Sequence, residues 1–301
     1  MSQGKIVVVG AGVGGLAAAA DLARAGYEVT VVERADEPGG KMRQLPVGGE
    51  GVDAGPTVFT MRWVFEALFG DAGASLEQRL SLHPADVLAR HAWTGGGVLD
   101  LHASVEASCR AIEQFATASD ARGYRDFCAR SADIYRTLEH SFMAAQRPSP
   151  ISLTRRVGFT NIAALWRTVP FMTMWRALGN HFQDERLRQL FARYTTYVGS
   201  SPMLAPATLM LIAHVEQEGV WLVEGGMRAL ALALQQLGEE QGASYRFGVG
   251  VCEIQVVGGR ASGVLLDDGT QLPADQVVFN GDVSALAEGL LGDGVRAAAP
   301  A

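Results

Sequence analysis

The sequence predicts an α/β fold in which a parallel-sheet domain is made discontinuous by a long insertion. Three observations carry that expectation. Near the start, residues 5–33 read as strand, glycine turn, helix and second strand. Near the end, Gln276–Phe279 is an apolar run with the look of a strand that rejoins the same sheet, followed by a small-residue turn through Asn280 and Asp282. Between them, residues from about 60 to 240 are dominated by helical periodicity.

The opening unit is the most informative. Lys5–Val9 is rich in β-branched residues and stops at Gly10. Gly10, Gly12 and Gly15 stand at G-x-G-x-x-G spacing, a helix pattern runs from about Gly14 to Ala25, and Gly26 stops it. A second apolar run, from Val29 to Val32, ends on Glu33. In that context the spacing is the Rossmann-type dinucleotide fingerprint. Gly10 permits the tight turn, Gly12 leaves the backbone open to a pyrophosphate, and Gly15 lets the helix close on the strand. The helix N-terminus offers N–H groups and partial positive charge to phosphates. Glu33 is placed to accept hydrogen bonds from a ribose. Glycine is 36 of 301 residues, so the spacing alone would be weak, and the flanking elements make it specific.

Composition narrows the function classes. With 48% apolar and 19% charged residues the chain is globular rather than disordered. A net charge of −7 argues against a nucleic-acid partner. Cys109, Cys128 and Cys252 are scattered, with no C-x-x-C or metal-ligand spacing, so no metal is expected. The N-terminal apolar run is a strand broken by glycines, not a signal peptide. No stretch reaches the roughly eighteen unbroken apolar residues of a membrane span.

Along the chain, Pro38, Gly39, Gly40 and Lys41 form a cationic, backbone-rich loop that fits a pyrophosphate. Asp53, Ala54, Gly55, Pro56 and Thr57 follow a glycine-rich hairpin and fix a bend. Short strands are expected near 86–92 and 98–101, and helices over 103–117, 123–143 and 227–241. The stretch from Arg147 to Arg176 holds five arginines and no acid, interleaved with Trp166, Phe171, Trp175 and aliphatic residues. That pattern fits an interfacial segment facing anionic lipid, or else a basic helix pair covering a domain face. Four strands over 244–272 read as a β-meander.

The pattern of Gly10, Gly12, Gly15, Ala19, Leu22, Gly26, Val29, Glu33, Gly39 and Gly40 resembles the FAD-binding motif of the amine oxidase and phytoene desaturase flavoproteins. Residues 53–57 resemble that family's D-x-G-P turn. Glu224 to Met227 resembles its P-x-G-G-M loop, with Val223 where proline is usual, and Val277 to Asp282 resembles its returning strand and N-x-D turn. Residues 55–66 and 89–93 are most like the branch acting on 1-hydroxycarotenoids.

The resemblance implies a discontinuous Rossmann-type FAD-binding domain with an inserted substrate- and membrane-associated α+β domain. Its parts are expected at 1–75, 76–240 and 241–301. It implies FAD as cofactor, with Gly10, Ala11, Gly12, Gly14 and Gly15 cradling the pyrophosphate. Glu33 would hold the ribose with Arg34 flanking it. Gly40 and Lys41 would lie along the phosphates, Gly55, Pro56 and Thr57 near the isoalloxazine, Val251 at the adenine, and Asp282 in the returning turn. The implied reaction is C3–C4 desaturation of a 1-hydroxycarotenoid drawn from the bilayer, with peripheral membrane contact on the cytoplasmic side, in a photosynthetic bacterium. Neither a catalytic residue nor the electron acceptor is named by the sequence. Phytoene desaturation and a non-catalytic lipid carrier on the same fold are the alternatives. Family members run on beyond the position of Ala301, so a fragment, a truncated product or one part of a split enzyme is also expected.

Overall fold

The computed structural model describes residues 3–139 and 171–296. Most of the arginine-rich stretch from Arg147 to Arg176 therefore lies outside the described residues, and so does the end of the helix expected over 123–143. The chain forms two compact units, residues 1–83 with 221–301 and residues 84–220. These boundaries differ from the expected 75 and 240. The physical reason lies in the helix over 227–240, which packs on the nucleotide-binding elements rather than in the insertion.

In chain order the first unit starts with β1 (Lys5–Val9), α1 (Val13–Arg24) and β2 (Glu28–Val32). The hairpin β3 (Gln44–Val47) and β4 (Glu50–Asp53), α2 (Arg62–Asp71), α3 (Leu76–Arg79) and β5 (Leu82–Pro84) follow. The insertion holds the hairpin β6 (Val87–Ala92) and β7 (Val98–His102), then α4 (Val105–Phe115) and α5 (Ala118–Leu138). It continues with α6 (Met174–Leu178), α7 (Glu185–Ala192) and α8 (Leu211–Glu218). The chain re-enters the first unit through β8 (Trp221–Val223), α9 (Met227–Glu240) and β9 (Ser244–Arg246). Last come β10 (Val251–Val257), β11 (Arg260–Leu266), β12 (Gln271–Pro273), β13 (Gln276–Phe279), α10 (Val283–Ala287) and α11 (Asp293–Arg296).

The parallel sheet has the order β13-β1-β2-β9. β13 returns to β1 in the register Val7 to Val277 and Val8 to Val278. β9, expected in the meander, instead extends the parallel sheet beside β2, pairing Thr30 with Ser244 and Val31 with Tyr245. β10, β11 and β12 alone form the antiparallel meander. The sheet is covered on both faces, which is why its strands are apolar runs. Ile6, Val8, Val29 and Val31 join Leu16, Ala19 and Ala20 of α1 and Leu230, Ala231 and Leu234 of α9 in one core. Val7 and Val32 pack with Ile254, Val264 and Leu266 of the meander in another. The small side chains of α1 let it lie close to both the sheet and α9.

The inserted unit has its own core, with Phe127, Phe182 and Phe191 at its centre. α5 begins five residues earlier than its apolar stripe predicts, because Thr117 caps it. The Thr117 Oγ1 accepts from Asp120 N (3.1 Å) and donates to the Asp120 carboxylate (2.7 Å). Asp120 is 1% exposed. Its Oδ1 also accepts from Gln183 N (2.6 Å) and Asp184 N (3.3 Å), where α7 begins. One buried carboxylate thus satisfies donors at two helix starts. Asp120→Ala strands those donors and is expected to destabilise the inserted unit by roughly 2–4 kcal/mol. Urea unfolding followed by tryptophan fluorescence measures this, and an unchanged midpoint would count against the account.

Candidate cofactor site

The site is built where β1 ends. Gly10 N donates to Val32 O (2.8 Å), and the chain turns at Gly10 with φ +101° before α1 starts. Gly12 is the N-cap residue of α1, no side chain caps the helix, and no acid stands in its first turn. The N–H groups of that turn are left to a ligand, and the dipole there favours an anion. The second glycine loop closes directly on this turn. Gly39 N donates to Ala11 O (2.9 Å), Gly12 bridges to Gly39 in parallel register, and a Cβ on Gly40 would come within 3.2 Å of Gly12 Cα. Two loops thirty residues apart in sequence form one continuous backbone surface.

Asn280, at the end of β13, sits beneath this surface. Its Nδ2 donates to Gly10 O (3.3 Å). A Cβ added at Gly12 would lie 3.1 Å from Asn280 Nδ2, and one at Gly14 would lie 2.7 Å from Asn280 Oδ1. One at Gly15 would collide with Gly10 O at 2.0 Å. The fingerprint glycines are therefore required by protein packing as well as by phosphate approach. Sequence reasoning placed Asp282 from the N-x-D turn in the site and left out Asn280, although it is the first residue of that same turn.

Glu33 anchors the other side. Its Oε2 accepts from Ala11 N (2.7 Å) and its Oε1 from Ala35 N (2.9 Å), which ties the end of β2 to the glycine turn. Each carboxylate oxygen keeps further acceptor capacity for a ribose. Glu33 and Ala35 are flanked by the stretch after β9, through Val249 N to Glu33 O (3.2 Å) and Gly248 N to Ala35 O (2.9 Å). Arg34 is exposed beside Gly250, and Val251 opens β10 at this same edge.

Lys41 packs against Gly55, and its charge acts on Asp282. A Cβ on Gly55 would strike Lys41 O at 1.8 Å, so this turn packs backbone to backbone. Pro56 and Thr57 follow it, exposed. Asp282 caps α10, accepting from Ser284 N (3.0 Å). The Ser284 N–H and hydroxyl hold the Asp282 carboxyl below the usual carboxylate range, helped by the Lys41 cation.

A further link was not legible in sequence. Asp53 Oδ2 accepts from Met227 N (3.0 Å) at the start of α9, and Gln44 Nε2 donates both to Asp53 Oδ1 (3.2 Å) and to Gly225 O (3.0 Å). Gly226 has φ +77°, and a Cβ there would come within 2.6 Å of Asp53 Oδ1. The D-x-G-P turn and the G-G-M loop are thus two halves of one helix cap. The Arg228 guanidinium closes on Glu37 (2.6 Å) beside it.

Glu33, the glycine turn, Gly39 and Gly40 are joined directly, with Arg34 beside Gly250 on one side and Lys41 against Gly55 on the other. The uncapped helix start, the fused glycine loops and Lys41 fit a dinucleotide pyrophosphate. Among the described residues, no group of side chains could hold a metal ion.

A cradle closed by a second glycine loop and by a returning strand defines a dinucleotide-binding protein of the Rossmann type. Residues 13–300 match the family described as flavin containing amine oxidoreductase, and the chain belongs to that family. It is 51% identical over 298 residues to the hydroxyneurosporene desaturase of Rubrivivax gelatinosus, covering 99% of this chain and 57% of that protein. It is 49% identical over 297 residues to that of Cereibacter sphaeroides, covering 98% and 60%. The chain thus spans a little under two thirds of the length of these relatives. An oxidoreductase structure from Methanosarcina mazei shares the fold, with a TM-score of 0.61 and 21% identity over 96% of this chain and 61% of that one. FAD is the dinucleotide that the family match supports, and the cradle fits its pyrophosphate.

Glu33→Gln leaves one acceptor oxygen for two backbone amides and a ribose. It is expected to weaken FAD binding about 10- to 100-fold, the worth of one charge-assisted hydrogen bond. Titration calorimetry of the flavin-free chain checks this, and an unchanged affinity would remove Glu33 from the site.

Proposed function

We propose that this chain acts in FAD-dependent desaturation of a 1-hydroxycarotenoid at C3–C4. The observation that carries the reading is the high identity to two hydroxyneurosporene desaturases along nearly the whole chain, joined to an intact cofactor rim. The substrate loses one hydrogen from each of C3 and C4, as a hydride and a proton, and a double bond forms between them. When bound, FAD supplies the hydride acceptor. The chain's own residues bind and orient. The glycine turn and the start of α1 hold the pyrophosphate, Glu33 holds the ribose, and Lys41 and the Gly55 turn position the end that meets substrate.

The same proposal includes membrane contact. Carotenoids partition into bilayers, and the acid-free stretch from Arg147 to Arg176 has the composition of a surface that meets anionic lipid on the cytoplasmic face. The contact is proposed as peripheral; among the described residues, no helix is long and apolar enough to cross a membrane.

The test is an in vitro assay of the flavin-loaded chain with 1-hydroxyneurosporene and with phytoene. The expected outcome is a 3,4-desaturated product from the first only, resolved by its longer-wavelength absorption. Consumption of phytoene alone would replace the substrate assignment, and carotenoid binding without flavin would favour a lipid carrier. Co-flotation with vesicles is expected to require anionic lipid and to fall as salt rises from 0.05 to about 0.5 M. Equal flotation with neutral vesicles would sink the lipid assignment.

A further inference from the structure

The peptide between Gly10 and Ala11, where β1 passes into the glycine turn, is held at both of its polar ends. Its carbonyl accepts from Asn280 Nδ2 (3.3 Å), and its N–H, on Ala11, donates to Glu33 Oε2 (2.7 Å). The peptide is trans, so it is planar and its C=O and N–H point in opposite directions. The two side chains therefore grip one rigid plate from opposite edges. The flanking groups are pinned as well. Gly10 N donates to Val32 O (2.8 Å), and Ala11 O accepts from Gly39 N (2.9 Å). This plate leads directly into Gly12 and α1, so its orientation aims the N–H groups that meet the phosphates.

Asn280 is placed for this task by its own backbone. Its N–H donates to Val9 O (2.9 Å), beside the last residue of β1. Its side chain then runs under the turn, 3.1 Å from where a Cβ would stand at Gly12 and 2.7 Å from where one would stand at Gly14. An apolar side chain could fill that space. Asn280 instead spends a donor on the Gly10 carbonyl, an acceptor that lies outside both β1 and α1.

Charge matters as much as shape. The first turn of α1 has no acid and no side-chain cap, so an anion there meets only N–H groups and the positive end of the helix. A carboxamide beneath the turn preserves that field. A carboxylate of the same shape is an acceptor only. It would face the Gly10 carbonyl without a hydrogen between them and would set a negative charge beneath the phosphates.

We propose that Asn280 is a positioning residue for the cofactor. Through the Gly10 carbonyl it fixes the peptide on which the pyrophosphate turn is built, as Glu33 does from the other edge, and its neutrality suits the site to a pyrophosphate dianion. The inference rests on this turn holding the pyrophosphate of FAD, and not on which carotenoid is desaturated.

The test is calorimetric titration of the full, flavin-free chain with FAD between about pH 8 and about pH 5, with Asn280→Asp and Asn280→Ala beside the native chain. The titratable groups on the elements packed here are Glu33, Lys41 and Asp282, and the first turn of α1 brings none. They are common to all three chains, so the ratio of affinities isolates position 280. Asn280→Asp is expected to bind FAD about tenfold or more weakly at the alkaline end. The phosphates raise the proton affinity of the new carboxyl in the complex, so this variant takes up a proton on binding and its affinity climbs as pH falls. Once protonated, the acid donates to Gly10 O as the amide does, and the deficit is expected to shrink severalfold at the acidic end. Asn280→Ala loses the hydrogen bond without gaining a charge, and its smaller deficit is expected to be the same at every pH. A side chain that only filled space would give no such difference between the two variants. Native affinity in Asn280→Asp, a deficit that does not shrink as pH falls, or loss of the fold in both flavin-free variants by circular dichroism would each overturn the proposal. The two readings separate cleanly. The expected pH profile in a chain that desaturates only phytoene refutes the substrate and leaves Asn280 in its role, while native FAD affinity in Asn280→Asp with a 3,4-desaturated product refutes the role and leaves the function.

Discussion

The parallel pairing of β13 with β1 carries Asn280 underneath the glycine turn, and the turn is shaped to that side chain. Gly10, Gly12, Gly14 and Gly15 each leave a space that Asn280 or its neighbouring backbone fills. From this packing the rest of the cofactor rim follows. α1 starts at the right angle to point its N–H groups outward, Ala11 reaches both Glu33 and Gly39, and Gly40 closes on Gly12. The two ends of the described chain thus meet at one side chain, and the phosphate site is a property of that meeting rather than of the N-terminal motif alone.

The fold class and the cofactor rim were legible because they depend on residues with few physical alternatives. Glycines at close backbone approaches, an acid ending a strand and apolar runs at the two ends leave little freedom of interpretation. What stayed hidden depends on contacts between residues far apart in sequence. Ser244–Arg246 has the same strand character as its neighbours, and only the exposed edge of β2 decides that it pairs there. α9 has an ordinary amphipathic stripe, and the stripe does not say whether the buried side faces α1 or the insertion. The cap that Asp53 provides to α9 joins residues 174 positions apart, so neither motif alone revealed it. α5 begins early because a threonine and an aspartate three residues apart outweigh the start of its hydrophobic stripe.

Two carboxylates of the insertion, the buried Asp120 and the half-buried Glu216, show two ways of settling a negative charge. Asp120 is met by the Thr117 hydroxyl at the start of α5 and by two backbone N–H groups at the start of α7. Glu216 is met by an arginine and two phenols. The first arrangement is closed, every partner being part of a helix start. The second meets charge with charge, and the guanidinium that supplies it lies over the Tyr194 ring.

The return of β13 to β1 also sets the order in which the molecule can be made. Gly10 and Asn280 are separated by 270 residues, so at about 5–20 residues per second the ribosome adds Asn280 roughly 15–55 s after Gly10. Throughout that interval β1 lacks its neighbour and the glycine turn lacks its support. The inserted unit, complete by Val220, can fold while the nascent chain still has no flavin pocket. Cofactor capture is thereby a late event in biosynthesis, and β1 passes that time as an unpaired apolar edge, the state in which a nascent β-strand is most exposed to association and to chaperones.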